Sequence, residues 1–155
     1  MSNQLSHSKT SEIELLSFRV GEQEFALDIM SVREIRGWTR ATPLPHSPPF
    51  VRGVINLRGT VLPIIDLAAR LGQHSTDPSE RNVFIVVQSG EETVGLLVDA
   101  VSDILSIKTE ELQSPPEMAA DTNNIFVESL TIVEDRMLRV LDLRAALLSS
   151  SSEAA

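Results

Sequence analysis

Few residues in this chain have the type and spacing that chemistry needs. Three histidines occur, at His7, His46 and His74, and none has a second histidine or a carboxylate at the separation that metal ligation requires. Each therefore reads as a solvated or hydrogen-bonded side chain. The segment Gly53 to Gly59 is no phosphate cradle, because no Gly-Lys-Ser/Thr follows it and a hairpin stands where the helix should begin. A Gly-x-Ser-x-Gly elbow does not occur, and cysteine is absent, which removes thiolate chemistry and disulfides alike. Asp66 and Asp142 remain. They stand at matching places in two similar stretches and invite comparison with a paired-carboxylate protease. Each is followed by leucine, however, not by the Thr/Ser-Gly that positions such an aspartate, and helix capping accounts for both. The expectation is a chain without catalysis, metal or cofactor.

The element that would hold Asp66 runs from Phe50 to Leu71. Val54, Ile55 and Leu57 form one short apolar run, and Val61, Leu62, Ile64 and Ile65 form another. Arg58-Gly59 between them is a break of hairpin size, and Gly59 can take the positive φ of a tight turn. Both runs are β-branched and of strand length. Pro63 cannot donate to a ladder, which predicts an edge strand or a bulge there. Asp66 then caps a short helix with Leu67 and Leu71 on its inner face, ended by Gly72.

The same unit recurs. Setting Asp66-Leu67 on Asp142-Leu143 places Ile65 on Leu141, Ile64 on Val140, Leu62 on Leu138, Val61 on Met137, Leu57 on Val133 and Leu71 on Leu147. The turn Arg58-Gly59 falls on Glu134-Asp135. A second match sets Gly21-Glu22 on Gly90-Glu91, Val32 on Val101, Glu34 on Asp103 and Ile35 on Ile104. Two ungapped matches in one order predict two similar β subdomains.

Composition bounds the rest. The 155 residues make one domain or two closely packed subdomains, and 42% hydrophobic against 23% charged residues is globular. A net charge of −9 argues against nucleic acid and anionic membrane surfaces as partners. No apolar run long enough to span a bilayer and no signal-like segment occur, so neither a membrane span nor a signal peptide is expected, and the lack of cysteine suits a reducing, cytoplasmic location.

In chain order, residues 1–11 form a loose arm, 12–149 the folded domain and 150–155 a serine-rich tail. Ile13 to Val20 and Gln23 to Leu27 read as strands. Asp28 to Arg36 is ambiguous between a helical turn and a bent strand, closed by Gly37. Thr42 to Pro49 holds four prolines and must be extended. The polar stretch Gln73 to Arg81 is the expected boundary between subdomains. Val83 to Val87 suits a strand buried on both faces. Val94 to Val98 and Ile104 to Ile107 are further strands, and Lys108 to Asn124 a long loop. Phe126 to Val133 and Met137 to Leu141 form the second hairpin. Many short strands with little helix indicate small antiparallel barrels.

The segment Phe50-Val-Arg-Gly-Val-Ile-Asn-Leu-Arg-Gly-Thr-Val-Leu-Pro-Ile-Ile-Asp-Leu67 resembles the signature of the CheW family, the coupling proteins of bacterial chemotaxis. Ile29 to Gly37, Val94 to Ile104 and Asp135-Arg-Met-Leu138 resemble the same family in its order, so the likeness covers roughly Leu15 to Leu148. It implies a mostly β fold of two interleaved five-stranded SH3-like barrels with short helices. It also implies a non-enzymatic adaptor, monomeric in isolation, joining the cytoplasmic tips of methyl-accepting chemoreceptors to the regulatory domain of the histidine kinase CheA. A paralogous adaptor in a chemotaxis-like pathway with another output would share these features.

An adaptor needs two separate faces. The resemblance places a receptor-binding groove at Val32, Glu34, Ile35, Asn56, Leu57, Arg58 and Val86, with an ion pair between Glu34 and Arg58 at its rim. The apolar members compete with a role in the core, and Arg58 with that of a plain turn residue. The kinase-binding face is expected around Gly37, Trp38, Thr39 and Leu44, where the sole tryptophan is either a contact residue or a cover for the barrel end.

Overall fold

The computed structural model describes residues 11–73, 77–116 and 125–147, and strands dominate it. They are β1 (Glu12–Val20), β2 (Gln23–Asp28), β3 (Val32–Gly37), β4 (Val51–Leu57), β5 (Thr60–Asp66), β6 (Val83–Ser89), β7 (Glu92–Val98), β8 (Ala100–Lys108), β9 (Val127–Val133) and β10 (Arg136–Leu141). Short helical segments cover Leu67–Arg70 and 143–147. The hairpin turns are tight because their central residues take positive φ, 51° and 87° at Arg58-Gly59 and 52° and 67° at Glu134-Asp135. The ambiguous stretch after Asp28 is both things in succession: a 3₁₀ turn at Ile29–Ser31 runs into β3. Of the long loop, Thr109–Glu111 forms one 3₁₀ turn, and residues 117–124 lie outside the described residues. So do most of the arm and all of the tail.

The strands form two five-stranded sheets, ordered β8-β1-β2-β10-β9 and β3-β6-β7-β5-β4. In sequence the copies are β1 to β5 and β6 to β10. In space each copy lends its first hairpin to the other's sheet, through the parallel pairs Ala26↔Val140 and Ile64↔Gly95. This is the interleaving that the family resemblance implies. It also corrects the expected boundary. Gln73 to Arg81 separates the sequence copies but not the barrels, because β5 before it and β6 after it belong to one sheet.

Pro63 likewise departs from expectation. β5 lies inside its sheet, between β7 and β4, and the bulge is on β4 between Val51 and Gly53. Val54, opposite Pro63, directs both its N–H and its C=O to Thr42, at 2.9 and 2.8 Å. Pro63 therefore occupies a non-hydrogen-bonded position towards β4, and the pairing with β7 starts only at Ile64. No ladder bond is lost to the missing N–H.

Three apolar clusters result. Ile55, Leu57, Leu62, Ile64, Phe84, Val86 and Leu97 fill the barrel of β3 to β7. Leu15, Ala26, Ile107, Leu138 and Val140 fill the other. The largest cluster joins the two, from Leu16, Phe18 and Phe25 on one sheet to Ile65, Ile85 and Leu96 on the other. β6 is buried on both faces as expected: Phe84 and Val86 point into their own barrel, Ile85 and Val87 into the shared core. The faces outside the barrels are thus held on one packed body.

Candidate functional site

The seam of the β3–β7 barrel lies between its two outermost strands, β3 and β4. Glu34 on β3 meets Arg58 from the β4–β5 turn across it. Arg58 Nη2 donates to Glu34 Oε1 at 2.5 Å, and Arg36 Nη1 donates to Oε2 at 3.2 Å. The Arg58 hydrogen bond, then that of Arg36, holds the Glu34 carboxyl below the usual carboxylate range. The same hydrogen bond raises the Arg58 guanidinium. Asn56 shapes the turn, its Oδ1 accepting from the Gly59 N–H at 2.8 Å. The expected ion pair is present, and its arginine is 68% exposed.

The structure divides the other residues expected in the groove. Ile35 is exposed on the face of β3 opposite Glu34, and Asn56 is exposed on β4. Val32 is half-buried against the shared core. Leu57 and Val86 are interior residues of the barrel, which corrects their assignment to a contact surface. The register explains it: Glu34 pairs with Val86 on the face that looks into the barrel, and Leu57 follows the inward Ile55 at the strand period of two.

At the end of the same barrel, Trp38 is half-buried and packs with Ala41 against Phe84 and its neighbours. It also lines a cavity of about 470 Å³ with Arg40, Arg52, Pro43 and Leu97. Gly37 and Thr39 are exposed on either side, and Leu44 is 45% exposed on the proline-rich connection. Trp38 thus covers the barrel end and stays partly open to solvent.

Both aspartates cap helical turns. Asp66 Oδ1 accepts from the Ala69 N–H at 3.3 Å and Asp142 Oδ1 from the Ala145 N–H at 3.0 Å. His46 is exposed in a turn at φ 63°, and His7 and His74 lie outside the described residues. Two features escape a reading of the sequence. Arg52, at the β4 bulge, pairs with Asp66. Arg70 lies between the rings of Phe50 and Phe126. The alignment that sets Asp66 on Asp142 also sets Phe50 on Phe126, and that is the available signal.

A family model described as the CheW-like domain matches residues 14–151. The chain belongs to the CheW-like family. It is 54% identical over 142 residues to a probable chemotaxis protein CheW of Rhizobium etli, covering 92% of each. It is 49% identical over 155 residues to the chemotaxis protein CheW of Rhizobium meliloti, over the whole of both. Among solved structures, the scaffolding protein TtCheW of Thermoanaerobacter tengcongensis superposes with a TM-score of 0.78 at 30% identity, over 84% of this chain and 89% of that one. Within this CheW-like pair of barrels the charge is uneven. Arginines and carboxylates nearly balance from residue 32 to 98, so most of the net −9 falls on β1, β2, β8 to β10 and their connections.

Proposed function

We infer that this chain is a non-enzymatic adaptor that couples the cytoplasmic tips of transmembrane chemoreceptors to the regulatory domain of the histidine kinase CheA. The observation that carries the reading is the Glu34–Arg58 ion pair across the seam between β3 and β4, its arginine open to solvent, in a chain of the CheW-like family. A receptor tip is a helical hairpin. Charges that flank the apolar stripe of such a helix are matched by the ion pair at the seam, and Ile35 offers an exposed apolar side chain on the other face of β3. The Trp38 end, with Gly37, Thr39 and Leu44, is the proposed kinase face, and it offers a half-buried tryptophan lining a cavity. The two faces occupy different parts of one body, so each partner leaves the other's place open. The protein works in the cytoplasm as a monomer that receptors gather into membrane arrays. It needs no cofactor, contacts no nucleic acid and does not enter the membrane. Among the described residues no helix is long and apolar enough to cross one.

The test is reconstitution of receptor-containing membranes, CheA and this protein, with CheA phosphorylation as the readout. Phosphorylation should rise only when all three are present, while the protein alone neither binds nor hydrolyses ATP. Unchanged phosphorylation, or specific ATP binding by the isolated chain, overturns the reading.

A further inference from the structure

Arg70 stands where the two sequence copies meet. Its guanidinium carbon lies 4.5 Å from the ring centroid of Phe50 and 4.5 Å from that of Phe126. Its Nε donates to the carbonyl of Ala146 at 3.0 Å. The backbone shows that these groups are related by the internal repeat. The Asp66 N–H donates to the Phe50 carbonyl and the Asp142 N–H to the Phe126 carbonyl, both at 2.7 Å. The alignment that sets Asp66 on Asp142 sets Arg70 on Ala146. Arg70 therefore sits on the pseudo-twofold axis between two equivalent phenylalanines, and the carbonyl it bonds is that of its own counterpart.

An axis has room for one such side chain. Two arginines would bring like charges into one site, and the second copy carries a fully buried alanine there instead. The apolar core shared by the barrels is large but non-directional, and it excludes water at many similar angles. A cation between two aromatic faces, with a charge-assisted hydrogen bond at its side, has a preferred direction.

We propose that Arg70 is a positioning residue for coupling. It is the pin that fixes how one barrel is turned against the other, and so keeps the Glu34–Arg58 seam in register with the rest of the body. This rests on the adaptor reading above, but part of its test does not need that reading.

The test compares the full-length wild type with Arg70→Met, Arg70→Ala and the exchange Arg70→Ala with Ala146→Arg. Methionine keeps an apolar stem and removes the cation. Residual dipolar couplings of backbone amides report whether both barrels fit one common orientation, and reconstituted membranes report receptor-dependent CheA phosphorylation. Arg70→Met is expected to keep each barrel intact, to lower Tm by roughly 5 °C, and to require separate alignment tensors for the two barrels. Activation should fall by about fivefold or more. The exchange should recover both a common orientation and activation, since the guanidinium that Ala146→Arg supplies would enter the same ring pair from the other copy. A single orientation with full activation in Arg70→Met overturns the proposal, as do loosened barrels with undiminished activation. An exchange variant no better than Arg70→Ala refutes the shared place on the axis. If the wild type itself fails to activate, the adaptor reading falls, and the dipolar couplings still decide whether Arg70 sets the barrel orientation.

Discussion

Arg52 donates from Nε and Nη2 to one carboxylate oxygen of Asp66, at 3.0 and 2.8 Å, and the second copy has nothing equivalent. The counterparts of Arg52 and Asp66 are Glu128 and Asp142, two acids. The seam shows the same reversal, since Glu34 and Arg58 correspond to Asp103 and Glu134. The two copies share strands and caps, but the second carries an anion at each place where the first carries one of these two cations.

Glu128 bears the consequence. Partial burial, then repulsion from Asp142 and Asp28, pushes its carboxyl above the ordinary value of 4.5. A raised acid favours the fold when protonated, so the penalty is absent below the unfolded pKa and develops as pH rises through the folded one. Glu128→Gln should therefore raise Tm at neutral pH by about 1–2 °C, a small gain because solvent screens the group. The gain should vanish near about pH 4. Thermal melts across that range check it, and a constant gain would show that charge is not its cause.

The two caps should differ in cost. Asp142→Ala removes a cap and relieves Glu128, so the loss should stay at about 1 kcal/mol or less. Asp66→Ala removes a cap together with an ion pair whose carboxylate is 6% exposed, for a loss of roughly 2–3 kcal/mol. Urea unfolding of the two variants measures the difference. Equal losses would mean that Arg52 contributes nothing through Asp66.

Strands, turns and caps were legible because each is local. Gly21, Gly59 and Gly90 take the positive φ that their turns demand, and Asp66 and Asp142 cap as their neighbours suggest. The partition of strands between barrels was not legible. An apolar strand such as Val94 to Val98 has the same period whichever sheet receives it, and only the pairs Ile64↔Gly95 and Ala26↔Val140 reveal the exchange. Leu57 and Val86 were misplaced for a related reason: composition marks them as apolar, but register decides which face they take. Arg70 was missed because a lone arginine in a short helix ordinarily reads as a surface charge.

Gly53 should tolerate no side chain. Its φ is 138°, and a Cβ there would stand 2.1 Å from the Thr42 carbonyl oxygen. That oxygen is backbone and not a flexible side-chain end, so Gly53→Ala must break the Thr42–Val54 bridge that ties the proline-rich connection to β4. The expected cost is roughly 2–4 kcal/mol, with faster amide exchange at Thr42 and Val54. Unchanged exchange at those amides would show that the backbone absorbs the methyl elsewhere.

The last prediction concerns Glu34 and Arg58. The pair is exposed enough that its loss should shift Tm by no more than about 2 °C. The Glu34 carboxyl is lowered, so what the pair contributes is present above the unfolded pKa and is lost as pH falls through the folded one. A charge at the edge of a small interface weighs more on partner choice, through steering, register and the group left unmatched on docking. Arg58→Ala and Glu34→Ala should each weaken receptor binding and receptor-dependent kinase activation, while binding to isolated CheA persists. The double exchange, Glu34→Arg with Arg58→Glu, should restore part of the coupling only if these residues act on each other and not on charges of the receptor. Arg58 holds φ at 51° in its turn, so Arg58→Asn, which suits that conformation, separates loss of charge from loss of turn geometry. If Arg58→Ala and Arg58→Asn both leave receptor coupling intact, the β4–β5 turn does not face the receptor.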